Sequence, residues 1–284
     1  MAPTAPPDAY IHHLVTQPLP YVTHVQINRP AKLNAYFEPM WLELGRIFRD
    51  LSIDPDVRAI VLSGAGEKAF TAGLDVEAAS AEGGILSGQK DLDGARKATM
   101  LRRHLEEFQE SISAIEKCEK PVICVLHGYS LGLAIDMSTS ADIRLCAKNT
   151  KFAVKEVDIG LAADIGTLSR LPKVVGNTSW VKDVALSARI FGAEEAFRVG
   201  FVSQVLDTKE QAVDTALKMA QLIASKSPVA VQGTKELLNH ARDHSVAQSL
   251  RYTAIWNQTM LQTNDVPEAL MSGIKRTKPT FAKL

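Results

Sequence analysis

The chain has 284 residues, and its 32 basic and 32 acidic side chains leave no net formal charge. A chain of this length can bury one sizeable core, and the balanced charge excludes the strong basic field of many nucleic-acid-binding proteins. With 46% hydrophobic and 23% charged residues the composition is ordinary for a soluble globular protein, and no apolar run reaches the length of a transmembrane helix.

The first predicted elements alternate between strands and helices. Residues 22–27 alternate between apolar and polar faces and predict a strand. Residues 59–62 predict a short buried strand, whereas residues 83–93 are polar and aperiodic and predict a surface loop or lid. Between the two strands, apolar residues at the spacing of one helix face predict a helix. This apolar stripe consists of Leu44, Ile47, Phe48 and Leu51.

The second part of the chain begins with another amphipathic helix and ends in helices only. Pro121 stops the first of these helices, and residues 122–126 predict a fully apolar strand. Strands that alternate with helices predict an α/β fold. After residue 206 the strand pattern disappears, so we predict a core at 1–206 and a helical region at 207–284. The stripe of the first helix consists of Leu101, Leu105, Phe108, Ile112 and Ile115.

Cysteines and histidines give little indication of a reactive site. The three cysteines stand among apolar neighbours, which predicts reduced, packed thiols. His12 and His13 fall in a polar N-terminal segment. His240 and His244 have the spacing of a metal pair, but Arg242 and Asp243 between them favour a solvated helix face.

Two glycine-containing segments follow predicted strands. Residues 70–75 contain small residues that let a ligand approach backbone N–H groups, although an ordinary turn has the same composition. Residues 127–136 lead from the apolar strand at 122–126 through glycines into a predicted helix. The N-terminus of such a helix is a natural site for an oxyanion.

Acidic residues in apolar surroundings form the third group. Asp136 stands in an apolar stretch, and Glu156 and Asp164 fall within the segment 154–166 among small and apolar residues. Buried carboxyls have raised pKa values and can transfer protons near neutral pH. Helix capping and a divalent-metal site are the alternatives, and no histidine or regular ligand spacing supports the metal.

Together these segments resemble the enoyl-CoA hydratase/isomerase (crotonase) superfamily over residues 20–270. The resemblance rests on Asn28-Arg29-Pro30, on Ala72-Gly73-Leu74-Asp75 and on the segment 127–136. It implies a spiral of repeated ββα units, a helical C-terminal region that forms trimers or hexamers, and a coenzyme A thioester as substrate.

The resemblance also implies the roles of individual residues. The backbone N–H groups of Leu74 and Leu133 would form an oxyanion hole, although the family usually has glycine at the positions of Leu133 and Ala134. The residues that the resemblance implies for substrate binding are Thr71, Ala72, Gly73, Asp75 and Gly132.

Among members of the superfamily, the set of three acids resembles the Δ3,5-Δ2,4-dienoyl-CoA isomerases. The resemblance implies that Glu156 removes a proton from C2 of a 3,5-dienoyl-CoA and that protonated Asp164 delivers one to C6. Asp136 would hydrogen-bond to Asp164 and tune it, or hold its proton. No metal and no cofactor is expected, since coenzyme A is part of the substrate.

Three other functions remain open at this point. A 2-enoyl-CoA hydratase would use Glu156 and Asp136 to orient a water molecule, although the family's hydratases carry two glutamates. A Δ3-Δ2-enoyl-CoA isomerase would use Glu156 alone and leave Asp164 unexplained. A catalytically silent acyl-CoA-binding protein of the same fold would account for the departure at Leu133.

The last residues predict the compartment. Ala282-Lys283-Leu284 differs by one small residue from the Ser-Lys-Leu address of peroxisomal proteins. We therefore expect recognition by the peroxisomal import receptor and a location in the peroxisome. Neither a nucleic acid nor a membrane span is expected.

Overall fold

The structure is a computed structural model that describes residues 10–80 and 92–284. Almost all of the loop predicted at residues 83–93 lies outside these ranges. The strands are β1 (His13–Leu19), β2 (Val22–Ile27), β3 (Ala59–Gly64), β4 (Ala69–Thr71), β5 (Val122–Leu126), β6 (Tyr129–Leu131), β7 (Ile143–Ala147), β8 (Lys151–Ala153), β9 (Phe191–Gly192) and β10 (Gln204–Leu206). The helices are α1 (Glu38–Ile53), α2 (Val76–Ser80), α3 (Gly94–Lys117), α4 (Leu133–Ser140), α5 (Thr167–Val174), α6 (Thr178–Ser187), α7 (Ala193–Arg198), α8 (Lys209–Ala224), α9 (Pro228–Asp243), α10 (Val246–Met260) and α11 (Asp265–Lys275).

A six-stranded sheet has the order β1-β2-β3-β5-β7-β10. β1 is antiparallel to β2, and the other neighbouring strands are parallel. Every residue of β3 and β5 is buried, as expected for parallel strands that are covered on both faces. The strands predicted at 22–27, 59–62 and 122–126 are confirmed, and the second of them extends to Gly64.

The two faces of this sheet bury different clusters. Successive side chains of a strand point to opposite faces, so Ile60 and Leu62 join the cluster that contains the apolar stripe of α1 and the stripe of α3 from Leu105 onward. Leu101, predicted in the same stripe, is 45% exposed. Ala59 and Val61 pack on the other face. There the buried residues of α8 are all alanines, which let the helix lie close to the sheet, and Val213, Leu217 and Ile223 are partly buried against the same cluster. The alanines are Ala212, Ala216, Ala220 and Ala224.

A smaller sheet, in the order β4-β6-β8-β9, continues the strands of the first. Along the chain, β3, β5 and β7 are followed by β4, β6 and β8, and a helical segment comes after each pair. This repetition confirms the predicted ββα units. Gly128 turns the chain from β5 to β6 at a φ of 53°, where a Cβ would collide with the carbonyl oxygen of Lys68.

A buried hydrogen-bond network joins the N-terminal strand to the core. His13 Nδ1 lies 2.8 Å from Glu43 Oε1, and His13 Nε2 lies 3.0 Å from the hydroxyl of Tyr36. Burial lowers the pKa of His13, so we assign a neutral ring that donates from Nδ1 and accepts the Tyr36 hydroxyl at Nε2. The placement of His13 in a polar segment was therefore wrong: it is 1% exposed.

Replacement of Tyr36 by phenylalanine tests this network. The change leaves a buried acceptor on His13 without a donor, so we expect the free energy of unfolding to fall by about 1–3 kcal/mol. Urea denaturation measures the change. Tyr252→Phe is the control, because that hydroxyl bonds to Glu236 at the periphery and water can replace it. Equal losses in both variants would contradict a special cost at Tyr36.

After β10 the described chain forms helices up to Lys275 and ends in residues 276–284 without regular secondary structure. The helices predicted near 230–243 and 246–263 are confirmed as α9 and α10, and α11 is an additional helix that the sequence patterns did not indicate. Large apolar side chains on these helices are exposed, among them Leu238, Leu250, Ile255, Leu270 and Ile274. Within the described ranges, no helix has the length and apolar character needed to cross a bilayer.

Candidate active site

A cavity of about 150 Å³ lies beside the segments that follow β4, β6 and β8. All three predicted catalytic acids line it, namely Asp136, Glu156 and Asp164. Its apolar wall consists of Val76, Phe108, Leu133, Ile159, Leu161 and Ile165. The cavity therefore combines titratable groups with a surface that suits an acyl chain.

Tyr36 holds the backbone before and after Leu74 through two hydrogen bonds. The N–H of Tyr36 donates to Gly73 O at 2.8 Å, and the N–H of Asp75 donates to Tyr36 O at 2.8 Å. The N–H of Leu74, between these two bonds, has no acceptor among the described residues. A free backbone donor thus stands at the cavity wall.

The second predicted donor is the N–H of Leu133. Leu133 is the first residue of α4, so its N–H has no acceptor within the helix. A Cβ built on Gly73 would lie 3.7 Å from this nitrogen, so the loop that carries Leu74 lies beside the start of α4. The free N–H groups of Leu74 and Leu133 are therefore neighbours, and the positive end of the α4 dipole adds to their field.

Two of the residues predicted to bind substrate lie behind the cavity. Thr71 Oγ1 donates to Asn34 O at 2.7 Å and accepts the N–H of Gly73 at 3.1 Å. Asp75 is paired with Arg29 at 2.7 Å. These bonds fix the loop that carries Leu74. The other three predicted residues, Ala72, Gly73 and Gly132, line the cavity.

Glu156 starts the short 3-10 helix Glu156–Ile159 after β8. A Cβ at position 132 would lie 3.3 Å from Glu156 Oε1, so the lack of a side chain on Gly132 leaves space for the carboxyl. Oε2 is buried and has no hydrogen-bond partner among the described residues. Burial, and next the charge of Asp136, raise the pKa of Glu156 to about 7. Glu156 is therefore suited to accept and release a proton near neutral pH.

Asp136 lies on α4 and is 2% exposed. Its Oδ1 accepts two hydrogen bonds from one residue, from Thr167 N at 2.6 Å and from Thr167 Oγ1 at 2.8 Å. Burial raises the pKa of Asp136 to about 6, although both bonds oppose the rise. The expected hydrogen bond between Asp136 and Asp164 is absent, because the polar partner of Asp136 is Thr167.

Asp164 stands at the junction of two cavities. It lines the cavity described above and a neighbouring polar one of about 320 Å³. The residue is exposed, and its backbone oxygen accepts a hydrogen bond from Gln109 at 2.6 Å. Partial burial raises the pKa of Asp164, which favours a protonated acid that still exchanges protons with solvent.

Thr167 is a residue that the sequence reasoning missed. Its contact with Asp136 spans 31 residues of chain, so no local spacing indicates it. The available signal was a threonine directly after Gly166, at the start of a helix. A threonine there predicts a helix cap and not a partner for a distant carboxyl.

Two lysines, the residue type that commonly binds phosphate, have structural partners. Lys235 is buried beside Asp142 at 2.8 Å and donates to Lys120 O at 3.0 Å. Lys32 remains exposed and is paired with Glu77. In the described part of the chain, no group of three or more His, Cys, Asp or Glu side chains is arranged to hold a metal ion.

Comparison with known proteins gives one family. The family model described as enoyl-CoA hydratase/isomerase matches residues 20–283. The chain is 47% identical over 283 residues to the mitochondrial Δ(3,5)-Δ(2,4)-dienoyl-CoA isomerase of Homo sapiens, covering 99% of this chain and 85% of the relative. It is 41% identical over 265 residues to the peroxisomal Δ(3,5)-Δ(2,4)-dienoyl-CoA isomerase of Arabidopsis thaliana, covering 93% of each.

Solved structures have the same fold. An enoyl-CoA hydratase from Mycobacterium tuberculosis H37Rv matches with a TM-score of 0.80 and 25% identity, covering 95% of this chain and 98% of that chain. A curated short-chain-enoyl-CoA hydratase of Clostridium acetobutylicum is 31% identical over 257 residues, which cover 90% of this chain and 92% of the relative. Identity is thus higher to the two isomerases than to these hydratases.

Proposed function

The chain belongs to the enoyl-CoA hydratase/isomerase family, and from this premise we propose that it catalyses the isomerisation of 3,5-dienoyl-CoA to 2,4-dienoyl-CoA. The observation that carries the proposal is that three carboxyls, Asp136, Glu156 and Asp164, line one cavity together with two residues whose backbone donors are free. The names of relatives that are 41% and 47% identical support the same reaction. The enzyme is an isomerase that serves the β-oxidation of unsaturated fatty acids.

The backbone donors act on the thioester oxygen. Loss of a proton from C2 converts the thioester to a dienolate, and negative charge develops on the oxygen. The N–H groups of Leu74 and Leu133 would stabilise this charge, and removal of one such donor typically costs a factor of about 10²–10³ in rate. Only backbone atoms are needed, so leucine at position 133 is compatible with the role.

Glu156 would be the base at C2. A carboxylate that accepts this proton must be ionised in the resting enzyme and must not be tied up by other donors. The raised pKa of Glu156, about 7, lies close to physiological pH, and its Oε2 has no partner among the described residues. The side chain therefore has both the basicity and the free oxygen that proton removal requires.

Asp164 would be the acid at C6. When Glu156 removes the C2 proton, the electron pair spreads from C2 to C6, and a proton added at C6 leaves double bonds at C2–C3 and C4–C5. The two proton sites are four carbons apart, so a second carboxyl on the same cavity is needed. Asp164 meets this requirement, and its raised pKa favours the protonated form that the step consumes.

The competing functions receive less support. A hydratase needs two carboxyls that share a water molecule, but one oxygen of Asp136 is occupied by Thr167. A Δ3-Δ2-enoyl-CoA isomerase has no use for Asp164. A silent binding protein has no use for three acids with raised pKa values.

An ultraviolet assay of the purified protein tests the proposed reaction. We expect the absorbance of the conjugated 2,4-dienoyl-CoA to grow rapidly after addition of a 3,5-dienoyl-CoA. A 2-enoyl-CoA in a parallel cuvette should lose its absorbance slowly or not at all. Rapid hydration without diene conversion would assign the chain to the hydratases, and tight binding without either reaction would indicate a silent binder.

The pH dependence of kcat/KM tests the role of Glu156. The rate should fall at acid pH with an apparent pKa near 7, because protonated Glu156 cannot accept the C2 proton. Asp136→Asn removes a neighbouring negative charge and should move this acid limb to lower pH, whatever it does to the maximal rate. An acid limb that stays in place or moves to higher pH would contradict the coupling of these two carboxyls.

We further propose that the enzyme needs no cofactor and works as a trimer or hexamer. The reaction moves protons and leaves the oxidation state of the substrate unchanged, so no redox group is required. The exposed apolar side chains of α9 to α11 support an interface between copies, since monomers rarely leave such surfaces open. Light scattering that gives the mass of a single chain, 30.9 kDa, would reject the assembly.

The peroxisome is the compartment that we propose. Ala282-Lys283-Leu284 resembles a peroxisomal address, and the Arabidopsis thaliana relative is named peroxisomal, whereas the Homo sapiens relative is named mitochondrial. A fluorescent protein fused ahead of residue 1 should colocalise with a peroxisomal marker and lose this location on Lys283→Glu. Mitochondrial fluorescence would reject the proposal.

A further inference from the structure

The two oxygens of the Asp136 carboxyl have different surroundings. Oδ1 accepts the backbone N–H and the hydroxyl of Thr167 at 2.6 and 2.8 Å. Oδ2 receives no hydrogen bond from the described residues, and Asp136 lines the cavity. The carboxyl is thus held on one side by a single residue.

This asymmetry has a consequence for protonation. A backbone N–H can only donate, so Oδ1 remains an acceptor in every protonation state. An oxygen that already accepts two hydrogen bonds is a weaker base than one that accepts none. A proton on Asp136 therefore resides on Oδ2.

The local fold fixes Thr167 in this position. Thr167 is the first residue of α5 and is fully buried. The preceding Gly166 has a φ of 157°, and a Cβ there would collide with the guanidinium of Arg170. Arg170 is in turn held by Ser113 at 2.8 Å and by Glu116 at 3.0 Å. The hydrogen bonds of Arg170 to Ser113 and Glu116 therefore link α5, which Thr167 begins, to α3.

The charged groups around Asp136 come from three directions. Glu156 faces it from the segment after β8, Asp164 from the segment before α5, and Arg170 from α5 itself. His104 of α3 acts on Asp164. Asp164 favours protonation of Asp136, the charge of Asp136 favours protonation of Glu156, and Arg170 and the Thr167 bonds favour the ionised form of Asp136. Thr167 is the member of this set that contacts Asp136 directly.

We propose that Thr167 is a positioning residue for the isomerisation, because its hold on Oδ1 of Asp136 directs the proton of that carboxyl to Oδ2 in the cavity. The inference rests on the proposed function and extends it to a residue that makes no contact with the reacting atoms. It gives a function to the two hydrogen bonds that Asp136 Oδ1 accepts from Thr167. Without the hydroxyl, Oδ1 keeps only the backbone donor, which holds the carboxyl and its negative charge less firmly.

Two substitutions distinguish the effect of the Thr167 hydroxyl from the effect of the side chain's shape. Thr167→Val keeps the branched shape and the backbone N–H but loses the hydroxyl, whereas Thr167→Ser keeps the hydroxyl. Thr178→Val is the matched control, because Thr178 is also the first residue of a helix, α6, but is exposed and lines neither of the two cavities that contain the carboxyls. Thermal melting of each variant confirms that it folds.

The first readout does not depend on activity. Infrared titration in the Glu156→Gln background follows the C=O stretch of protonated Asp136, which Asp136→Asn identifies by its absence. One lost hydrogen bond to an ionised group corresponds to a pKa rise of about one pH unit. We expect this rise in Thr167→Val and no change in Thr167→Ser or Thr178→Val.

The second readout is turnover of the 3,5-dienoyl-CoA in chains that retain Glu156. We expect kcat to fall about tenfold in Thr167→Val, with KM unchanged, and to be restored in Thr167→Ser. An unchanged pKa of Asp136 in Thr167→Val, or equal losses of kcat in the Val and Ser variants, would overturn the inference. A wild-type chain without isomerase activity would overturn the proposed function, and the infrared titration would still decide whether Thr167 controls Asp136.

Discussion

Glu156→Gln should lower kcat for the 3,5-dienoyl-CoA by about three orders of magnitude, within the range of 10²–10⁴ that general bases contribute. Glutamine has nearly the same shape but cannot accept the C2 proton. The donors of Leu74 and Leu133 remain in place, so the substrate should still bind. Stopped-flow absorbance measures kcat, and calorimetric titration with the 2,4-dienoyl-CoA product measures affinity.

Asp158→Asn is the matched control for this variant. Asp158 lies in the same 3-10 helix, two residues further along, but it is exposed and pairs with Lys155. The change removes one negative charge from the same segment and should leave kcat within about a factor of two, as expected of an exposed ion pair. If both variants lost activity equally, the loss would reflect the local fold and not the base.

Asp164→Asn should lower kcat by about two to three orders of magnitude and change the affinity for acyl-CoA little. The asparagine amide cannot deliver a proton to C6, whereas Glu156 can still form the dienolate. Asp164 is exposed, and its main polar contact is through its backbone oxygen, so the change should not disturb the fold. The same absorbance and calorimetric measurements apply.

One outcome would contradict the role of Asp164 as the acid at C6. Strongly weakened binding with residual turnover would mean that Asp164 holds the substrate and that another group protonates C6. Ser169→Ala provides a control, because Ser169 lines the neighbouring polar cavity but not the cavity of the three acids. It should retain full activity.

Long periodic elements of the fold could be predicted from the sequence. α1 and α3 have unbroken apolar stripes, and β5 is a run of apolar residues bounded by Pro121 and His127. The smaller sheet could not be predicted from periodicity, because β4, β6 and β8 have only three residues each. Such strands are too short for an alternating pattern to develop, and the ββα repeat therefore came from the family resemblance.

Residues of the site also differ in how far the sequence alone predicts them. Buried acids in apolar surroundings are visible in the sequence, so Asp136 and Glu156 could be selected. Their partners are set by tertiary contacts: Thr167 reaches Asp136 across 31 residues, and Glu43 reaches His13 across 30. No local pattern distinguishes a buried histidine in an N-terminal strand from an exposed one, which explains why His13 was misplaced.

A single turnover in D₂O tests the central claim, that two different carboxyls handle the two protons. Asp164 is exposed and exchanges its proton for deuterium before the substrate arrives, whereas the C2 proton of the substrate passes to Glu156. Nuclear magnetic resonance of the 2,4-dienoyl-CoA product should therefore show deuterium at C6. Transfer of the original C2 proton to C6 would mean that one base carries it along the chain, and it would contradict the division of roles between Glu156 and Asp164.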